Sequence, residues 1–540
     1  MLLQSCKRQQ GWQTDSRRVF GDRGCGEIAD NPRARAETWV GKLGSTKRSY
    51  LYSTGREKYV RLKHSLIAIV LVVVLVAVSA SGCLTSTNNS TSSGGAVLAA
   101  EPTGGTWKTF VLSSSDAIRS LPPPSQGSPE FTQDVNELEA LQLNRTAAVN
   151  ESIDYWNNGS VVQWNAIARS LVIKYGTSAP MASRVYALLS VAQYDGLVST
   201  WNNKYTYNRS SPHDIDQSIQ PAVQTTSDPA YPSDHAAVAG ASAAVLSYLY
   251  PNETAWLAKQ AAADDESRLE AGVNFRSDIT AGNVIGLSVA QNVIKYAKND
   301  GSNIAWNGTV PTGPGKWVST TSPATPPLLP NWGNVTPWLF NSSNLIMPPA
   351  PFAFGSAQFE ANLSEVKQIA NNRTAEQLQI AQFWDDGTGT ATPTGHWNAI
   401  ACSLIQNYSL DELRAARSLA LMNIATEDAG ICCWKAKYQY WELRPITADP
   451  TIKTAFATPN FPSYTSGHSD FSGAAAGVLG YIFPKEQSQL EAQAQQASLS
   501  RVYAGIHYPV DCDQGLKVGS EIAQRAIQRG EHDGSPQQAS

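Results

Sequence analysis

Trp164-Asn165-Ala166-Ile167-Ala168 recurs unchanged as Trp397-Asn398-Ala399-Ile400-Ala401, 233 positions further along the chain. Sliding the sequence by that interval aligns two halves without a gap. Trp201 and Lys204 fall on Trp434 and Lys437, Ser233 and His235 on Ser466 and His468, and Arg268 and Asp278 on Arg501 and Asp511. The register persists to Asp300-Gly301-Ser302 against Asp533-Gly534-Ser535. Self-similarity over so long a period means one structural unit built twice.

Working outward, apolar residues recur at three- and four-residue spacing in 135–150, 164–200, 236–250, 255–272 and 279–298, and again in 357–384, 397–435, 469–483, 486–504 and 513–529. That is the period of helices, and alternating strand patterns are scarce. The expected fold is all-α: two related helical bundles from an internal duplication. A first half (133–302) and a second (353–530) would be joined by a Pro/Gly-rich connector (303–352). The 540 residues, 42% of them hydrophobic and 15 of them Trp, suffice for a core larger than one small domain needs. A net charge of -4 leaves no nucleic-acid footprint. Seven Cys without a C-x2-C pair indicate neither a zinc site nor a disulfide scaffold, and Cys432-Cys433 reads as apolar core.

Residues 1–59 are polar and lack periodicity, and are expected to be untranslated or disordered, with the start at Val60. Arg61 to His64, the apolar run Ser65–Ala80 and then Ser81-Gly82-Cys83 read over 60–83 as a lipoprotein-type signal peptide or an N-terminal anchor. Residues 84–132, rich in Ser, Thr, Gly and Pro, read as a flexible linker. Eleven Asn-x-Ser/Thr sequons beyond residue 100 suit an exported protein: at the cell surface, membrane-anchored or extracellular. Any membrane contact would run through that anchor or lipid.

The second half gathers three groups of polar residues. They are Lys437 with Arg444-Pro445; Pro462-Ser-Tyr-Thr-Ser466-Gly467-His468; and Arg501 followed by His507 and Asp511. Together they supply cations, a hydroxyl, a glycine amide and two imidazoles, which is what holding a tetrahedral oxyanion requires. Lys437 and Arg444, seven apart, would share one face of a helix that Pro445 ends. Ser466-Gly467 would open a helix and offer its amides to an anion. Gly505 would bend the chain so that His507 meets the site, and Asp511 would fix its tautomer. In the first half Arg444 corresponds to Ser211, Gly467 to Asp234 and His507 to Asn274. The chemistry is therefore expected only in the C-terminal half.

These pieces resemble the signature of the type 2 phosphatidic acid phosphatase and vanadium-dependent haloperoxidase superfamily, K-x6-RP, PSGH and SR-x5-H-x3-D, with Thr465 in place of the Pro of PSGH. The resemblance implies that Lys437, Arg444, Ser466, Gly467 and Arg501 bind the oxygens of vanadate or phosphate. It implies His507 as vanadium ligand or phosphate nucleophile, and His468 as the acid–base. Two helical units resemble the vanadium haloperoxidases more than the phosphatases, and Trp434 and Phe461 sit where the fungal chloroperoxidase type carries Trp and Phe. The resemblance matches Asp386 to a family carboxylate that pairs with the second Arg. The implied activity is oxidation of halide by hydrogen peroxide with vanadate as cofactor and Lys437 polarising the peroxide. The alternatives are an acid phosphatase working through a phosphohistidine on phosphomonoesters, and a non-catalytic oxyanion-binding homologue.

Overall fold

The computed structural model describes Glu101–Pro536; the leader and the signal or anchor segment lie outside the described residues. Fourteen helices longer than two turns are described. In the first half these are α1 (Pro129–Gln142), α2 (Ala147–Asn157), α3 (Ser160–Tyr175), α4 (Ala179–Tyr207), α5 (Asp234–Leu249), α6 (Thr254–Glu270) and α7 (Arg276–Ala297). The second has α8 (Ala357–Asn371), α9 (Ala375–Phe383), α10 (Thr392–Asn407), α11 (Glu412–Tyr440), α12 (Gly467–Ile482), α13 (Gln487–Tyr503) and α14 (Pro509–Glu531). From α4 to α6 every boundary recurs 233 residues later, as far as the single turns Pro212–Ile215 and Pro445–Ala448. No strand occurs among the described residues, only one bridge between Lys316 and Glu442.

The two copies meet at equivalent positions. Asn165 donates to Asn398 (2.7 Å), and Asn423 donates to Ser190 (2.9 Å), both pairs 233 apart. A residue that touches its own counterpart lies beside a local twofold axis, so the halves pack face to face about α4 and α11. One apolar core spans both, including Trp164, Leu188, Trp397 and Leu421. Each copy also carries the same buried ion pair. Arg184 Nε meets Asp300 at 2.6 Å, Arg417 Nε meets Asp533 at 2.7 Å, and each guanidinium also donates to a carbonyl at the end of its last long helix.

Several expected boundaries are corrected. The apolar periods 164–200 and 397–435 each hold two helices, because Gly176 (φ 55°) and Ser409 (φ 49°) turn left-handed and end α3 and the segment after α10. The run 357–384 breaks at Thr374, whose capping box with Gln377 starts α9. The run 135–150 breaks where Thr146 caps α2. The linker expected over 84–132 is docked structure from Glu101 onward. Trp107 is buried, and the amides of Phe110, Val111 and Leu112 donate to buried Asp195. The repeat explains this anchor: Asp428, the counterpart of Asp195, takes the amides of Trp338 and Leu339 from the connector. Cys402, Cys432, Cys433 and Cys512 are buried free thiols, and no described helix is long and apolar enough to cross a membrane.

Candidate functional site

α11 ends at Tyr440, because Trp441 takes a left-handed conformation (φ 55°). Arg444 is therefore not on the helix with Lys437, as its spacing suggests. It sits in extended chain (φ -77°, ψ 152°), the geometry imposed by the following Pro445. From there the guanidinium reaches inward. Its Nε donates to Phe461 O (2.8 Å), and Nη1 donates to Ile506 O (2.8 Å) and lies 2.9 Å from His507 Nε2. Nη2 is buried and has no partner.

His507 lies between α13 and α14, after Gly505 (φ 75°). Its Nδ1 is 2.9 Å from Asp511 Oδ2, which also accepts from Ser463 Oγ (2.5 Å) and the Tyr508 amide (3.2 Å). A ring donating from Nδ1 leaves the Nε2 lone pair as an acceptor, which here faces Arg444 Nη1 at 2.9 Å. Burial and the charges of Arg444, Lys437, Arg501 and His468 hold this imidazole well below its usual range, so it is neutral.

Ser466 caps α12, its hydroxyl accepting from the Ser469 amide (3.4 Å), and Gly467 is the first helical residue. The Gly467 amide therefore has no partner inside the helix. A Cβ at Gly467 would meet only ordinary contacts, Trp434 at 3.6 Å and Phe471 at 3.7 Å. Neither packing nor a positive φ demands glycine there. His468 Nε2 is buried without a partner. Burial and the Arg501 charge keep His468 well below the normal histidine range.

Two cations are placed differently from the expectation. Lys437 Nζ donates to the carbonyls of Pro462 (3.0 Å), Ser463 (2.8 Å) and Thr465. Three acceptors exhaust an ammonium, so Lys437 offers the site charge and not a direct hydrogen bond. Arg501 holds Ser500 Oγ (2.9 Å) and the carbonyls of Ala381 (3.3 Å), Trp384 and Asp385 (3.4 Å). Burial lowers Lys437 to about 8, and Arg444 and Arg501 each to about 10. Phe461 lies against both Lys437 Nζ (5.0 Å) and the Arg444 guanidinium (4.8 Å), with Trp434 beside it (5.2 Å). Asp386 forms no ion pair with Arg501. It bonds His396 instead, at 3.1 Å, because Arg501 is occupied by the main chain of the preceding turn.

Sequence reasoning missed one residue here, Glu442. Glu442 Oε2 and Asp511 Oδ1 are both buried with no donor. Burial and the Asp511 charge push the Glu442 carboxyl well above its usual range. Arg209 occupies the Glu442 position in the first half and pairs directly with Asp278.

The first-half counterparts line a cavity of about 460 Å³ that includes Lys204, Asp234, His235, Arg268 and Asn274. Asp234 occupies the Gly467 position; burial opposes its charge, but Lys204 and His235 keep it ionised. Asn274 donates to Ala230 O (3.0 Å) and accepts from Ser233 Oγ (3.2 Å).

Residues 183–301 and 414–528 each match the PAP2 superfamily. Each repeat is thus similar to that superfamily. It is 26% identical over 410 residues to the vanadium chloroperoxidase of Curvularia inaequalis, a match that covers 59% of this chain and 64% of that protein, just under two thirds of its length. It is 28% identical over 183 residues to the non-specific acid phosphatase of Providencia stuartii, covering 32% of this chain and 70% of that one. The fold is shared with the first bacterial vanadium-dependent iodoperoxidase to be solved, with a TM-score of 0.58 at 24% identity over 68% of this chain and 96% of that structure. A bacterial vanadium-dependent chloroperoxidase superposes with a TM-score of 0.50 at 15% identity, covering 66% of this chain and 94% of that one.

Proposed function

We propose that this superfamily member is a vanadium-dependent haloperoxidase, with its reaction centre in the second repeat. The observation that carries the reading is the meeting of His507 Nε2, backed by Asp511, with the Arg444 guanidinium, whose buried Nη2 has no partner, while the Ser466 amide at the start of α12 donates to Asp511 O at 3.0 Å. Unpaired donors in a desolvated, cation-rich wall fit a small tetrahedral oxyanion. His507 would hold vanadate through Nε2, Arg444 and the α12 N-terminus would receive its oxygens, and Lys437 and Arg501 would offset its charge. When bound, vanadate supplies Lewis-acid activation of hydrogen peroxide toward halide. The protein's part is to exclude water, orient the anion and move protons through His468. The signal or anchor segment over 60–83 and the sequons favour a reaction outside the cell.

An acid phosphatase is the second reading, favoured by the Providencia relative. His507 Nε2 would attack phosphorus, His468 would protonate the departing alcohol oxygen, and water would release the phosphohistidine. Similarity to haloperoxidases across both repeats favours the first reading, since the phosphatase match spans about half as much of the chain. The test is an assay of purified protein with and without vanadate. Vanadate-dependent oxidation of a phenol by peroxide and bromide or iodide is expected. Hydrolysis of p-nitrophenyl phosphate that vanadate inhibits would replace this with the second reading. Silence in both would leave an oxyanion-binding homologue.

A further inference from the structure

The first repeat holds a cavity of about 460 Å³ where the second holds its oxyanion residues. Ser211 and Asn274 stand at the positions of Arg444 and His507, and neither takes up the space of a guanidinium or an imidazole. Val162, Trp201 and Val223 from the first repeat, with Ile405 and Leu410 from the second, give the cavity apolar walls. A space of that size between two packed units suits a small organic molecule.

Its polar groups have been rebuilt and not merely lost. His235 keeps the place of His468 at the start of α5 but has gained a brace, its Nδ1 lying 2.8 Å from Asp264 Oδ1. Asp264 is fully buried and also accepts from Ser160 Oγ and the Trp164 indole (3.1 Å). In the second repeat Ala497 stands at its position. Burial and Arg268 oppose a charge on His235, but Asp264 and Glu412 hold it above the ordinary histidine value. The ring is more than nine-tenths buried, and among the described residues its Nε2 makes no hydrogen bond, with Glu412 Oε1 3.7 Å away.

Lys204 departs from Lys437 in the same sense. Lys437 spends three protons on carbonyls, whereas buried Lys204 donates to Pro229 O (2.7 Å) alone among the described residues, which leaves two. Asp234 Oδ1 accepts from the His235 amide (3.1 Å), and among the described residues Oδ2 has no donor. The other acids of the wall are engaged. Glu412 takes the Ser160 and Val161 amides (2.6 and 3.0 Å), Asp411 the Arg414 amide (2.8 Å) and Asp228 the Tyr205 hydroxyl (2.5 Å). An anion alone would meet Asp234, and an amine alone would leave Lys204 and His235 unanswered. Unpaired groups of both signs in a desolvated wall call for a ligand that carries both.

We propose that this cavity binds a small zwitterion with an apolar body, of the α-amino acid class, its ammonium on Asp234 and its carboxylate on Lys204 and His235. The site belongs to the first repeat and does not depend on the reaction assigned to the second.

Calorimetric titration of the full-length protein tests it with L-phenylalanine and L-leucine as probes. Two analogues accompany them: phenethylamine, which lacks the carboxylate, and 3-phenylpropionate, which lacks the ammonium. At least one amino acid should bind at millimolar concentration, and each analogue should bind roughly tenfold or more weakly than L-phenylalanine, one charged hydrogen-bonding group being lost. Asp234→Asn and Lys204→Met should each cost the amino acid a similar factor while keeping the melting temperature and the tungstate affinity of the second repeat. No binding of either amino acid, an analogue that matches L-phenylalanine, or a folded variant that binds as wild type does overturns the proposal. The analogue series is run on the wild type, so it decides even where a variant does not fold. Tungstate is read in the same samples, so failure of the oxyanion site in the second repeat and failure of this one are separate results.

Discussion

Gly467→Asp gives the second repeat the residue that the first carries as Asp234, at the same first position of the same helix. The site tolerates the atoms: a Cβ there would lie 3.6 Å from Trp434, 3.7 Å from Phe471 and 3.9 Å from Cys433 Sγ. The change should therefore act through charge and not through misfolding. An added carboxylate about 4 Å from one anionic oxygen, at an effective dielectric near 20, opposes binding by about 4 kcal/mol, or on the order of 10³ in affinity. Lys437 and Arg444, each lowered by burial, would rise toward their ordinary values as they gain a counter-charge. Titration of vanadate or tungstate into the variant measures the loss, Gly467→Asn controls for bulk, and thermal melting verifies the fold. Gly467→Asp binding within a few-fold of wild type, with an unchanged melting temperature, would refute the assignment of the α12 N-terminus as the anion seat.

Two further outcomes follow from the charges and the repeat. Burial lowers Lys437 from its ordinary 10.5 to about 8, so below pH 8 it is a cation whether the chain is folded or not. Between those values the folded chain releases a proton that the unfolded one keeps, so Lys437 adds stability as pH rises across that window, up to about 3 kcal/mol, and loses it as pH falls back. Tungstate, whose charge is constant there, should bind fully below pH 8 and weaken by about tenfold per unit above it; flat affinity from pH 7 to 10 would remove Lys437 from the site's charge balance. Asp533→Ala strands the buried Arg417 guanidinium and should lower stability by about 3–5 kcal/mol in denaturant melts, as should Asp300→Ala in the other half; near-neutral melts would show that these twin pairs do not brace the bundles.

The duplication was legible because it lies in residue identity: Trp-Asn-Ala-Ile-Ala at a fixed interval needs no structural input, and the helix boundaries from α4 to α6 obey the same interval. The breaks inside long apolar periods were less legible. Gly176 could have been read as a stop, but Ser409 and Trp441 turn left-handed with no compositional sign. Trp441 matters most, since it takes Arg444 off the helix and lets it reach His507 from extended chain. Direction was also hidden. The spacing says that Lys437 and Arg501 are near the site, but not that nearby carbonyls absorb their donors. Asp386 went to the wrong partner for the same reason.

The most direct test is a crystal structure of the protein soaked in vanadate. The account predicts a tetrahedral or five-coordinate oxyanion bonded to His507 Nε2, with Arg444 Nη2 and the Gly467 amide on its oxygens and His468 at the opposite side. Vanadate seated in the first-half cavity beside Lys204 and Arg268, with His507 still against Arg444, would contradict it.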